Sequence, residues 1–198
     1  MSPPFRLLLV CEGNVCRSPW AEVLVRHRLR ADTADGPHRF RVSSAGTHAR
    51  PGQPAHPLLR VLCETDEQRA AVEQHRSRRV DVPLLREQDL VIVMERRHRL
   101  DLLDSWPEGL RRVFTIGEAE QLARTGPPTD GERRLSVHEV FSRRRSPRLG
   151  AGAADVPDPV HGSERDFRDM GEHLRRAVGA VVPCITAVNG ADHDQKDC

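Results

Sequence analysis

Tyrosine is absent from the 198 residues, and Phe and Trp together bring the aromatic content to only 4%. So few flat rings leave little on which bases can stack, which argues against single-stranded nucleic acid as a ligand. Lysine is nearly absent too. Lys196 stands alone among 31 basic residues, the rest being arginine, and 29 acidic residues leave a formal charge of only +2. That balance lacks the basic face or tail of a protein that coats nucleic acid. The arginine excess runs the whole length of the chain and marks no site by itself. No run approaches the roughly 20 apolar residues that span a bilayer. The first apolar run, Phe5–Val10, is broken by Arg6 and too short for a signal-peptide core. The five cysteines, Cys11, Cys16, Cys63, Cys184 and Cys198, are odd in number and irregularly spaced, which is no disulfide framework. The expectation is a soluble cytoplasmic protein with free thiols and with neither membrane nor nucleic acid as partner.

What is present is an alternation of short apolar runs and amphipathic stretches. Phe5–Val10, Phe40–Ser43, Asp89–Met94 and Arg112–Ile116 read as strands. Arg17 to about Asp32 reads as a helix, with Ser18 suited to the N-cap and Pro19 to the first helical position. Further helices are expected over Pro57–Gln74, from His98 to Leu103, over Gly117–Arg124 and over Arg165–Val182. Strands alternating with helices imply an α/β fold, with a parallel sheet of four strands and helices on both faces. One domain over 1–188 is expected, followed by a polar tail over 189–198. The Gly-, Pro- and Arg-rich stretch at about 125–155 reads as an insertion with one short helix around Val137–Phe141. It is either a solvated loop or a basic docking surface.

The informative segment is Cys11-Glu12-Gly13-Asn14-Val15-Cys16-Arg17-Ser18, between a strand and a helix. A loop wound at a helix N-terminus points several N–H groups into one concavity, and the helix dipole adds to the field that binds a dianion there. Arg17 offers a planar fork for two phosphate oxygens. The same field is expected to draw the Cys11 thiol below its free pKa of about 8.5. Ser18 can cap the helix or donate to the thiolate. Gly13 permits close approach or positive φ, and Asn14 tolerates the left-handed region. The segment is no nucleotide-binding loop, since the required glycine and lysine are missing. As a zinc site, Cys11 and Cys16 lack a second pair.

In combination these residues resemble the signature loop of the low-molecular-weight protein tyrosine phosphatases. Three further blocks follow in the family's order: Ser44-Ala45-Gly46-Thr47, then Asp89–Glu95 with His98, then Asp155-Val156-Pro157-Asp158-Pro159. The resemblance implies a flavodoxin-like three-layer sandwich with strand order 2-1-3-4 and a ligand site at the end of the first strand. It implies a cysteine-dependent phosphomonoester hydrolase, most simply a protein tyrosine phosphatase, with no cofactor and no metal. Its partners would be a phosphorylated protein as substrate and inorganic phosphate as product, and the enzyme would be a monomer. Cys11 would form a phosphocysteine intermediate. Arg17 and the loop amides from Glu12 to Arg17 would hold the equatorial oxygens. Asp158 would be general acid and then base, with Asp155 as the competing candidate. Asn14 would brace the loop through Ser18, Ser44 and His75. Cys16 would trap an oxidised Cys11 as a disulfide.

Two departures bear on substrate. Many relatives carry aromatic residues after the Asp-Pro and in the loop after the second strand; here those places hold Val160-His161 and His48-Ala49-Arg50. Of the large flat residues only Trp20 and Trp106 remain, and Trp20 is expected to face the core. At the loop position where phosphoarginine-selective relatives carry threonine, this chain has Val15, which favours tyrosine. A protein arginine phosphatase, an arsenate reductase and a non-catalytic phosphoprotein-binding module are the alternatives. Arsenate reduction needs a downstream cysteine pair, and Cys63 stands alone in mid-chain.

Overall fold

A computed structural model describes residues 3–32, 39–124 and 154–189. The strands are β1 (Phe5–Cys11), β2 (Phe40–Gly46), β3 (Leu90–Val93) and β4 (Val113–Thr115). The helices are α1 (Arg17–Asp32), α2 (Asp66–Gln74), α3 (Val82–Arg86), α4 (Arg96–Ser105), α5 (Ile116–Arg124) and α6 (Glu164–Asn189). Two 3₁₀ helices, Pro57–Leu62 and Pro107–Arg111, complete the described elements.

The sheet is parallel throughout, in the order β2-β1-β3-β4. The period of two along a strand explains why β1 is apolar on both sides. Leu7 and Leu9 enter a core with α1, α5 and α6, while Leu8 and Val10 enter a second core with Leu85, Leu102 and Trp106. All four β1 leucine and valine side chains are wholly buried. With helices on both faces, the sheet order turns back at β1, so the loops after β1 and its two neighbours open a crevice at that edge.

Several elements differ from the sequence reading. The stretch Pro57–Gln74 is not one helix. His56 Nδ1 accepts from Leu58 N–H to start the 3₁₀ turn, and Cys63 returns to extended φ, ψ. Thr65 then opens α2, its Oγ1 accepting from Gln68 N–H at 3.2 Å. The apolar residues in this stretch are too sparse to keep one helical face buried, so capping chemistry decides. α3 and the 3₁₀ turn Pro107–Arg111 were not expected, being too short for a periodic signal. β2 runs on to Gly46 because Cys11 at the end of β1 pairs with it. α6 continues through Pro183 to Asn189; Val181, Val182, Cys184 and Ile185 remain buried around the proline. The insertion, apart from Ala154 and Asp155, and the tail beyond 189 lie outside the described residues. Among the described residues no helix is long and apolar enough to cross a membrane.

Candidate active site

β1 delivers Cys11 to the crevice, and α1 begins six residues later. The Cys16 carbonyl accepts the first helical bond, from Trp20 N–H at 3.2 Å. The helix therefore starts at Arg17, and Ser18 lies inside it instead of capping it. Pro19 is tolerated because first-turn N–H groups have no partner within the helix. Freed from capping, the Ser18 hydroxyl lies 3.0 Å from Cys11 Sγ. Asn14 N–H donates to the same sulfur at 3.3 Å. Cys11, Asn14, Arg17 and Ser18 are all at most 2% exposed.

Asn14 organises the loop. Its φ of +53° is the only positive φ at a non-glycine residue among those described, and asparagine bears that conformation better than most residues. Its Nδ2 donates to Ser18 Oγ and Ser44 Oγ, each at 2.9 Å. Its Oδ1 accepts from Arg78 N–H at 2.9 Å, and its carbonyl meets His75 Nε2 at 2.8 Å. Because Asn14 fills an acceptor site on Ser18, the single Ser18 proton is left for Cys11 Sγ or for Ala45 O at 3.2 Å. Gly13 does not use positive φ. The glycine on which the loop rests is Gly46. A Cβ there would lie 2.4 Å from Glu12 O and 2.9 Å from Asn14 N.

The Arg17 guanidinium is gripped by the carboxylates of Glu95 and Asp158 and donates to Val156 O at 3.1 Å. Val156 N–H in turn donates to Met94 O at 3.0 Å, which fastens the Asp158 loop to the end of β3. Asp158 thus sits beside Arg17. Asp155 is engaged elsewhere, accepting from Arg96 N–H at the start of α4 at 3.1 Å.

Glu95, Arg97, His98, Arg78 and Gly46 were not singled out from the sequence as site residues. Burial alone would raise the Glu95 pKa, but hydrogen bonds from Arg97 and Arg17 and the charge of Arg17 bring it down to about 2. Arg97 bridges Glu95 at 2.7 Å and Glu12 at 2.6 Å. His98 is 1% exposed, and neither ring nitrogen has a hydrogen-bond partner. Burial, then the charge of Arg17, push its pKa down to about 4. For Glu95 the available signal is topological: it lies two residues after β3, the strand beside β1. Cys16 is also buried, and desolvation, then Asp158 and Cys11, hold its thiol strongly on the protonated side.

The cleft above Cys11 holds about 610 Å³ and is walled by Val15, His48, Arg50, His56, Val160 and His161, among others. Neither tryptophan reaches it. Trp20 is in the core under α1, and Trp106 packs on the opposite face of the sheet. Among the described residues no group of three or more His, Cys, Asp or Glu side chains is placed to hold a metal ion.

Comparison with known proteins matches residues 6–126 to the family model "Low molecular weight phosphotyrosine protein phosphatase". The chain is 36% identical over 112 residues to the low molecular weight protein-tyrosine-phosphatase Wzb of Salmonella typhi, covering 57% of this chain and 68% of that protein. It is 27% identical over 183 residues to the probable low molecular weight protein-tyrosine-phosphatase EpsP of Ralstonia nicotianae, covering 92% and 97%. The YwlE arginine phosphatase from Geobacillus stearothermophilus shares the fold, with a TM-score of 0.67 at 20% identity over 96% of this chain and 97% of that one.

Proposed function

The chain belongs to the low molecular weight phosphotyrosine protein phosphatase family, and from that premise we propose that it hydrolyses phosphotyrosine in proteins with Cys11 as nucleophile, Arg17 as phosphate clamp and Asp158 as general acid and base. One observation carries the assignment: Arg17 opens the helix six residues after Cys11, and its guanidinium is in contact with Asp158.

In the first step the Cys11 sulfur attacks phosphorus and the P–O bond to the leaving group breaks. Hydrogen bonds from Asn14 N–H and Ser18 O–H suit a sulfur that carries negative charge. The arriving dianion takes over the Arg17 fork, and Asp158, released from that ion pair and protonated from solvent, passes its proton to the departing oxygen. Arg17 and the amides of Glu12, Gly13, Val15 and Cys16 stabilise the charge on the equatorial oxygens. In the second step Asp158 accepts a proton from water. The water oxygen bonds to phosphorus, the P–S bond breaks, and phosphate and the Cys11 thiolate are released. Asn14, with Ser44 and His75, keeps the loop in shape throughout.

Substrate and product are then a phosphorylated protein and inorganic phosphate. Four free thiols among the described residues support a cytoplasmic location, and near-neutral charge supports the reading without a nucleic-acid partner; the enzyme is read as a monomer without a membrane partner. The domain is read as one unit over 1–188, with the 125–155 insertion joining α5 to the acid loop. Val15 lines the cleft without a hydroxyl group, which supports tyrosine over arginine as the phosphorylated residue.

The test is turnover of phosphotyrosine, phosphoarginine and phosphoserine peptides side by side. Phosphotyrosine should be fastest, and Cys11→Ser and Arg17→Ala should each abolish turnover. Asp158→Ala should slow poor leaving groups far more than p-nitrophenolate. Equal loss on both would remove Asp158 from the acid role. Preference for phosphoarginine would reassign the substrate.

A further inference from the structure

One cation on the wall of the cleft has no carboxylate partner among the described residues. Glu12 and Asp158 border the cleft, and with Glu95 they share two guanidinium groups: Arg97 bridges Glu12 and Glu95, and Arg17 meets Glu95 and Asp158. Arg50, on the same wall, is exposed and forms no ion pair among the described residues. Its backbone is anchored, since Ser77 Oγ donates to the Arg50 carbonyl at 2.5 Å, so the side chain springs from a fixed point. His48 is held beside it by Thr47 Oγ1 at 3.0 Å and by its own N–H on Glu12 O at 2.9 Å.

The opposite side adds His161, which is exposed, and His56. Burial, then the nearness of His161, lower the His56 pKa. The His56 ring stacks on Phe167 at 4.7 Å, so the one phenyl group nearby is spent behind the wall; Phe167 itself is wholly buried. Among the described residues lining this cleft, a phosphorylated ring finds no Phe or Trp to stack on, only Val15, Val160 and the histidines. Among these groups Arg50 is the unpaired charge on which binding beyond the phosphate can draw.

We propose that the Arg50–His48–His161 rim selects phosphotyrosine flanked by carboxylates, so that the substrate is an acidic phosphopeptide segment. This rests on the phosphatase reading of the same site. Arg50 is the specificity residue. It meets the flanking side chain and takes no part in bond making. An exposed pair of this kind contributes about 1.5- to fivefold at low salt, and Arg50 holds one flanking carboxylate at a time; the effect weakens as salt rises.

The experiment compares three phosphotyrosine peptides identical except for flanking Glu, Gln or Lys, with p-nitrophenyl phosphate as the unflanked reference. Wild type and Arg50→Gln are measured at low and high ionic strength. The expected result is kcat/KM in the order Glu, Gln, Lys, carried by KM, with the Glu-to-Lys ratio about fivefold or more and falling with salt. Arg50→Gln should cut that ratio at least threefold; as a ratio, it is insensitive to any general loss of activity. A Glu-to-Lys ratio near one in wild type, or one unchanged in Arg50→Gln, overturns the proposal. Fluorescence anisotropy of the same peptides on Cys11→Ser reads the preference without turnover. Failure to hydrolyse p-nitrophenyl phosphate together with a retained Glu-over-Lys binding preference would refute the catalytic reading and leave the rim assignment standing.

Discussion

Gly46→Ala should damage the enzyme without touching any residue that carries chemistry. A Cβ at position 46 would meet Glu12 O at 2.4 Å, Asn14 N at 2.9 Å and Ala49 Cβ at 3.0 Å. Ordinary carbon–oxygen contact needs about 3.3 Å or more, so the Glu12 carbonyl must retreat by roughly 1 Å. It cannot retreat alone, because that carbonyl also accepts from His48 N–H and the adjoining Cys11 carbonyl accepts from Thr47 N–H, both at 2.9 Å. The Glu12–Asn14 stretch must move as a piece, and with it the amides proposed to grip phosphate. A displacement of about 1 Å in a positioned site costs on the order of 100-fold in rate. The overpacking should cost about 1–3 kcal/mol of stability. The assay is kcat/KM on p-nitrophenyl phosphate with thermal unfolding of the same samples. Gly52→Ala is the control: its φ of +85° strains an alanine, yet no atom lies within 4 Å of the added Cβ. It should lose about 1 kcal/mol of stability and keep its kcat. If Gly46→Ala stays within threefold of wild type in kcat/KM, the loop does not rest on Gly46 as argued.

Asn14→Gly and Asn14→Ala both remove the bonds to Ser18, Ser44 and Arg78, which should cost about 2–4 kcal/mol; denaturant unfolding should show Asn14→Ala worse by about 1 kcal/mol, because only alanine pays for φ of +53°. His98 is buried and neutral, with its pKa pushed down to about 4 from the ordinary 6.5. The unfolded chain takes up that proton first, so the stability held above pH 6.5 should drain away as pH falls towards 4, by about 3 kcal/mol. Between pH 7 and 4.5 the urea midpoint of wild type should fall relative to that of His98→Leu; parallel curves would deny His98 the effect. Peroxide should inactivate wild type in a way that dithiothreitol reverses, and Cys16→Ser should recover less completely; equal recovery removes Cys16 as the guard.

The proposed catalytic segment was legible before folding because its chemistry is local. Cys11 through Ser18 form one strand–loop–helix turn, and eight adjacent residues are enough to specify a concavity of amides with a sulfur at its base. The sheet was legible for a similar reason: β1 and β3 are continuous apolar runs, the mark of strands buried on both faces. Short elements escaped. The break after Leu62 and the turn of α3 depend on single caps, Thr65 and Asp81, which a periodic pattern does not register.

What the chain order alone determined is the strand–loop–helix segment that carries the proposed nucleophile and its arginine, and the parallel architecture, since each follows from neighbours within one turn or one strand. Only the tertiary structure decided which aspartate stands at the site, because Asp155 and Asp158 are three residues apart and differ only in what lies opposite them: the first amide of α4 for one, Arg17 for the other. It also decided that Ser18 faces the sulfur and not the helix end, and that Glu95 and His98 lie beneath Arg17. It showed that Gly46, 35 residues from Cys11 in the chain, is the floor on which the loop is built. Those are contacts between segments far apart in the chain, and a linear pattern carries no distance between them.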